Sequence, residues 1–280
     1  MDIFKGERLK EPRRMVYEEP LYTLSELLHE ASKINEETGM SFNRRLGKIM
    51  GTEYFVKLTS RSFKSYPTSP SLSLPHTDEF EDTASSKHLR EAVIRRRSIR
   101  QFSGEPITLN NLSNIIFNAY GITGKITLNF GIEEPLRAVP SGGALYPLEL
   151  YVASHKVEGL EPGIYHYNVL NHSLELVREG QFSGELGRAL FYEEMFKGVS
   201  AAFLITGVLK RSSIKYGERA YRFMMLEAGH VGQNICLTSF SLNLGCLMLG
   251  GFYDDDVDRI LGIDGVSETM LYASAVGHIG

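Results

Sequence analysis

Pro140-Ser141-Gly142-Gly143-Ala144-Leu145-Tyr146-Pro147-Leu148-Glu149-Leu150-Tyr151 is the stretch on which the reading of this chain turns. Four small residues, Ser141 to Ala144, pass through Tyr146-Pro147 into an apolar strand pattern that continues to Ser154. Small side chains let backbone N–H groups approach a flat or anionic ligand, and glycine reaches the φ values such a loop uses. A Ser-Gly-Gly segment by itself is more commonly an ordinary turn. Two other stretches raise its weight: the basic run Arg95-Arg96-Arg97-Ser98-Ile99-Arg100 upstream, and Lys215-Tyr216-Gly217-Glu218-Arg219 downstream. Together the three read as a cofactor site.

The background is that of a water-soluble globular chain. It has 280 residues, 42% of them hydrophobic and 23% charged, with a net charge of −4. That balance argues against nucleic-acid binding, which needs a dominant basic surface, so the local arginine run stands out. The two cysteines, Cys236 and Cys246, form no C-x-x-C pair and no metal-ligand spacing, and they read as buried free thiols of a reducing compartment. The opening residues Met1 to Arg8 are too charged for a secretory signal. The longest apolar runs, Ala201–Val208 and Ile235–Phe252, are short or broken. No membrane span and a cytoplasmic location are therefore expected.

Residues 1–85 differ from the rest. Helical patterns at Leu21–Ala31 and Phe42–Met50 lead into a Ser/Thr/Pro-rich stretch, Ser60–Thr83, which cannot sustain a helix and reads as an extended lead-in. From residue 86 to 280 the pattern is that of one domain. Leu89, Ala92, Val93 and Arg96 fall on helical spacing. Thr108 caps a second helix carrying Leu109, Leu112, Ile115, Ile116 and Ala119, with Gly121 as terminator. Gly163–Asn168 and His172–Arg178 read as a strand pair, Gln181–Phe196 as one helix, and Ala201–Val208 as a central strand. Glu218–Leu244 reads as a long helix in which Gly229 and Gly232 allow close packing. Leu247–Leu249, Asp254–Leu261 and Met270–Val276 complete a strand–helix–strand ending. This mixture is an α+β layer architecture. No G-x-G-x-x-G follows a strand and no P-loop motif occurs, which disfavours a Rossmann site or a P-loop.

Guanidinium forks bind phosphate oxygens bidentately, and Arg96, Arg97 and Arg100 surround the hydroxyl of Ser98 at a helix end. A solvated basic cluster at a helix C-terminus is the alternative, since the helix dipole favours it. Lys215 and Glu218, three apart, could likewise pair on a helix surface. Arg219 and Arg222 read as ion-pair anchors for Glu218 or Glu227, His230 as a core histidine, and Gln233 and Asn234 as buried groups hydrogen-bonded across the core or a dimer interface.

Arg96-Arg97-Ser98-Ile99-Arg100-Gln101-Phe102 resembles the opening motif of the FMN-dependent nitroreductase superfamily. Val139 to Tyr151 resembles, more narrowly, its SagB-type branch of azoline dehydrogenases. Lys215 to Arg222, Leu226-Glu227-Ala228-Gly229-His230 and Gln233-Asn234 are similar to the same branch. The resemblance covers residues 86–280. It implies a nitroreductase-like α+β fold, with a central, mostly antiparallel sheet flanked by helices, and a homodimer holding FMN at its interface. Arg96, Arg97 and Ser98 would then hold the phosphate and ribityl tail, and Arg100 would lie near the flavin ring, where a cation stabilises the reduced form. Pro140, Ser141, Gly142 and Gly143 would touch the flavin. Leu249, Gly250 and Gly251 match the segment whose backbone N–H faces flavin N5, although the glycine pair could be a plain strand-end turn. Where many relatives end their last strand in a phosphate-binding arginine, this chain has His278.

For Lys215 and Tyr216 the resemblance implies proton transfer during oxidation of a peptide azoline to an azole, with the flavin accepting hydride. A general base must be a neutral amine, and the cationic neighbours Arg211, Arg219 and Arg222 favour one in a partly desolvated site. Two alternatives stand beside this: an NAD(P)H-dependent nitro- or quinone reductase on the same scaffold, and a flavin-binding, non-catalytic partner in a modification complex. The expected partners are a second copy, a small-molecule or peptide substrate and modification-complex proteins.

Overall fold

The computed structural model describes residues 23–50, 52–54, 83–127 and 133–280. The Ser60–Pro75 lead-in lies outside the described residues. The N-terminal helices run over Leu24–Ser32 and Glu36–Met50, so the second starts six residues earlier than its apolar pattern suggests.

One six-stranded sheet organises the body. Its strands lie in the order 173–179, 163–168, 148–154, 201–207, 269–277 and 245–249, and every neighbouring pair is antiparallel. Ala201–Gly207, buried at all seven positions, is a central strand as its unbroken apolar run predicts. Its alternate side chains divide between two cores, as the two-residue period of a strand requires. Ala201, Phe203 and Ile205 pack beneath helices Leu109–Tyr120 and Arg219–Ser241, whereas Ala202 and Leu204 face Ser183–Ala189 and Asp254–Leu261. Helices therefore cover both faces, and the fold class is the expected α+β.

Local signals explain most boundaries. The Thr108 side chain accepts the Asn111 N–H at 3.1 Å, and Leu112, Ile115, Ile116 and Ala119 form the buried stripe of the helix it caps. One expectation needs correction, and one hairpin was not foreseen. The single helix expected over Gln181–Phe196 is two, Ser183–Ala189 and Glu193–Phe196, separated at Phe191, whose φ is +64°. Gly187 permits the fold-back, because a Cβ there would lie 2.8 Å from the Glu193 Cα. Ile122–Thr127 and Glu133–Arg137 form an antiparallel hairpin that no motif announced.

Helix Leu24–Ser32 is tied to the body by polar contacts. The Ser25 N–H donates to Glu218 Oε2 at 2.7 Å, and His29 pairs with the Tyr221 hydroxyl at 3.3 Å and the Thr269 hydroxyl at 2.7 Å. Lys33 reaches the Gly265 carbonyl at 3.2 Å, beside Asp258. Burial pushes the Asp258 carboxyl up to about 7, although its Oδ1 accepts the Met270 N–H at 2.9 Å. Its folded value lies above the roughly 3.9 of an unfolded aspartate, so its stabilisation is complete below about pH 4 and is lost as pH rises to about 7. Asp258→Asn, which cannot ionise, is therefore expected to shrink the melting-temperature difference between pH 5 and pH 8.5 by several degrees. An unchanged difference would remove Asp258 as its source.

Candidate active site

The Ser141–Tyr146 loop is held in an unusual backbone conformation. Gly142–Ala144 form a 3-10 turn, and φ is +65° at Gly143, +56° at Ala144 and +43° at Tyr146. Left-handed values at two non-glycine residues carry strain of order 1–3 kcal/mol each, sustained only where surrounding contacts fix them. Those contacts are specific. The Ser141 hydroxyl accepts the Tyr146 N–H at 3.0 Å and donates to Glu227 Oε2 on helix Arg219–Ser241. Tyr120 donates its hydroxyl to Glu227 Oε1 at 2.8 Å and accepts the Leu148 N–H at 3.3 Å. The Tyr146 hydroxyl accepts the Arg137 N–H at 2.9 Å, while the Arg137 guanidinium lies 4.3 Å from the Tyr120 ring centre and 4.9 Å from that of Tyr146.

Glu227 is 2% exposed, and burial pushes its carboxyl up, against the pull of the hydrogen bonds from Ser141 and Tyr120. Burial likewise drives the Tyr120 phenol well above its ordinary range, with the Glu227 charge acting in the same direction. The Tyr120 phenol therefore keeps its proton, and the bonds from Tyr120 and Ser141 to Glu227 clamp the loop to the helix.

Lys215 and Tyr216 close helix Lys210–Tyr216 and reach this same loop. A Cβ on Gly143 would collide with the Tyr216 hydroxyl and lie 2.8 Å from Lys215 Nζ. A Cβ on Gly142 would come within 3.1 Å of the Phe223 ring, which in turn meets the Tyr216 ring edge-on at 5.0 Å. Glycine is favoured at position 143 by its positive φ, and residues more than seventy positions apart are brought side by side. Lys215 Nζ stands 5.3 Å from the Tyr216 ring centre, and the lysine is exposed. Glu218 is engaged by Ser25, so the surface pair Lys215–Glu218 weighed from the sequence is not formed. Arg211 pairs with Glu149 at 2.5 Å, which commits one of the cations expected to act on Lys215.

The arginine run assembles elsewhere. Arg96 caps helix Ala84–Arg95, and Arg97, Ser98 and Arg100 are exposed beyond it. Arg97 Nη1 donates to the Ile94 and Arg96 carbonyls at 2.6 and 2.8 Å. The described arginine ion pairs fall on Arg95, Arg188, Arg211 and Arg259, so among the described residues no carboxylate neutralises Arg96, Arg97 or Arg100. The run lies along the edge strand Gly245–Leu249, where the Ile99 N–H donates to the Cys246 carbonyl at 3.0 Å, and beside the C-terminus, where the Ser103 N–H donates to the His278 carbonyl at 3.0 Å. Leu249 is buried at that strand's end and Gly250 is exposed. Arg100 also lines a cleft of about 780 Å³ with Phe191, Tyr192 and Lys197. No hydrogen bond among the described residues joins the arginine run to the glycine loop. Each meets helix Arg219–Ser241 at a different point: Glu227 clamps the loop, while Cys236 lies near Arg96. Those nine residues correspond to about 13 Å of helix.

Comparison with known proteins places this arrangement. The family model described as the nitroreductase family matches residues 93–278, which contain both clusters. The chain belongs to the nitroreductase family. It is 38% identical over 176 residues to a protein of Methanocaldococcus jannaschii named as a nitroreductase, MJ1384, covering 62% of this chain and 84% of that one. It is 29% identical over 158 residues to the microcin B17-processing protein McbC of Escherichia coli, covering 51% of this chain and 54% of that protein, so it spans about half of McbC. Among solved structures, one from Anabaena variabilis described as a nitroreductase is 30% identical, with a TM-score of 0.58 over 69% of this chain and 38% of that chain.

Within this nitroreductase-family site, several polar residues sit differently from expectation. His230, expected in the core, is exposed, as is Gln233, expected in the core or at a dimer interface; Gly229 has open space where a Cβ would be, so Gly232 alone makes the close approach, to Met248 and Tyr272. Asn234 donates to the Asn118 carbonyl at 2.8 Å, as a hydrogen-bonded polar group should. Glu227 serves Ser141 and Tyr120, so it is not an ion-pair partner of Arg219 or Arg222. Tyr120, Arg137 and the loop-clamping role of Glu227 were missed, and one signal was present: a lone acid between apolar positions Met224 and Ala228 of a helix.

Proposed function

We propose that this nitroreductase-family protein is a flavin-dependent oxidoreductase of the SagB type, which oxidises a peptide azoline to an azole by two electrons. The observation that carries the reading is the placement of Lys215 and Tyr216 against Gly143 in a loop clamped by Glu227. FMN is the cofactor. The residues present fit it: among the described residues three guanidinium groups lack a carboxylate partner and suit a phosphate, and Gly250 is exposed just past the end of an edge strand. Arg96, Arg97 and Ser98 would hold the phosphate and ribityl chain, Arg100 the electron-rich side of the ring, Pro140 to Gly143 and Leu249 to Gly251 the ring's edges, and His278 would stand beside the phosphate. When bound, FMN supplies the two-electron acceptor.

The chain's own groups do the rest. Lys215 takes the proton from the azoline ring carbon as hydride leaves the neighbouring position, and the Tyr216 hydroxyl, beside it at Gly143, relays that proton. The separation of the two clusters along one helix supports a site shared between two copies, each giving one cluster. Exposed Leu89, Val93 and Ile94 on helix Ala84–Arg95, and Leu226 on the long helix, provide apolar surface for such a homodimer. The likeness to McbC supports a peptide substrate and further protein partners in a modification complex.

Flavin-loaded protein given an azoline peptide should yield the azole, read as a loss of two hydrogens by mass. The likeness to MJ1384 favours a second reading, an NAD(P)H-dependent reductase. Rapid bleaching of the flavin by NADPH, with no conversion of the azoline, would establish that reading in place of the first.

A further inference from the structure

Nothing in the proposed chemistry uses Cys236 or Cys246. Their sulfurs are 3.4 Å apart, and the residues are 5% and 4% exposed. Cys236 sits in the last third of helix Arg219–Ser241 and Cys246 at the second position of the edge strand Gly245–Leu249, so the pair bridges a helix and the sheet it covers. We infer that Cys236 and Cys246 form a redox-active dithiol, an oxidation site that closes to an intramolecular disulfide with hydrogen peroxide as oxidant.

Several observations converge on this. Two thiols in mutual contact need to move only about 1.4 Å closer to reach the roughly 2.0 Å of a disulfide bond. The Arg96 charge favours the thiolate at both positions. Hydrogen bonding from Cys246 lowers the Cys236 thiol below its ordinary range, and the charge of Arg96 acts in the same direction. Cys246 is pushed well above its range by that same bond and by burial. Either sulfur can attack the oxidant while the other resolves; the step is written with Cys236 attacking.

The step balances without another reactant. The Cys236 thiolate attacks one peroxide oxygen, the O–O bond breaks, and the departing oxygen leaves as water after taking up a proton, giving a sulfenic acid. The Cys246 sulfur then attacks the Cys236 sulfur, the S–O bond breaks and a second water leaves. Two thiols are oxidised by two electrons, one peroxide is reduced, and one S–S bond is formed. The consequence is local, because the Cys246 carbonyl receives the Ile99 N–H and Ser98 bridges to Cys246. The disulfide would fasten the strand beneath the arginine run to the long helix.

The experiment uses the full chain as purified, with whatever cofactor it carries. No Lys or Arg lies between Arg222 and Arg259, so trypsin leaves both cysteines in one peptide, residues 223–259. After brief exposure to stoichiometric hydrogen peroxide, unfolding and alkylation, that peptide is expected to be two hydrogens lighter and unalkylated. Dithiothreitol should restore two alkylation sites. Cys246→Ser should instead leave Cys236 in a singly oxidised state, trapped by a sulfenic-acid reagent, and this readout needs only soluble folded protein. Recovery of two free, alkylatable thiols at that dose, or sulfinic acid on either cysteine without the cross-link, would overturn the inference. The outcome does not depend on azoline oxidation.

Discussion

Lys215→Ala in flavin-loaded protein is expected to lower the rate of azoline oxidation by roughly a hundred- to ten-thousand-fold, the usual worth of a positioned general base. The substitution removes an exposed amine that makes no ion pair among the described residues, so folding and flavin content should be unaffected. Its Nζ lies against Gly143, in the loop that would present the flavin edge, which is why the loss should fall on turnover and spare substrate affinity. Lys215→Arg should not rescue, since a guanidinium does not give up its proton near neutral pH. A variant that oxidises the azoline at the wild-type rate would remove Lys215 from the chemistry, and Tyr216 would then be the group to test.

Glu227→Ala is expected to be the most destabilising single change in the site, by about 2–4 kcal/mol, because it leaves buried hydrogen-bond donors without their acceptor. The Tyr120 hydroxyl loses its 2.8 Å partner and the Ser141 hydroxyl loses its own. For a chain of this size, thermal melting should fall by on the order of 5–15 °C. Glu227→Gln keeps an acceptor for Tyr120 and a polar group for Ser141, so it should retain most of that stability. Since burial raises the Glu227 carboxyl, its stabilisation is greatest below the ordinary carboxylate range and declines as pH rises through the raised value. Glu227→Gln should flatten that decline. A melting temperature for Glu227→Ala within a degree or two of wild type would mean that the clamp does not hold the loop.

The sequence made the layers legible wherever one side of an element faced water. Leu112, Ile115, Ile116 and Ala119 gave helix Leu109–Tyr120 its period, and the unbroken run Ala201–Gly207 marked the strand buried on both sides. Helix Arg219–Ser241 was harder. Its exposed face carries Met225, Leu226, Gly229 and His230, so apolar residues lie nearly all round it and its buried face could not be chosen from pattern alone. That is why His230 reads as a core residue in the sequence and is exposed in the fold. The break at Phe191 depends on Gly187 meeting Glu193, a tertiary approach with no local marker. The motifs of the candidate site were visible as three stretches. What ties the glycine loop to the long helix, Glu227 reaching Ser141 and Tyr120 across more than eighty residues, is a product of folding. The adjacency of Cys236 and Cys246, ten positions apart on a helix and a strand, was hidden in the same way.

The most direct test of the central claim is titration of the purified protein with FMN, followed by its visible absorbance and its fluorescence quenching. The account predicts saturable binding of one flavin per chain, weakened at least about tenfold by Arg97→Ala through loss of a charge-assisted phosphate contact. A colourless protein that leaves the spectrum and fluorescence of added FMN unchanged would contradict it.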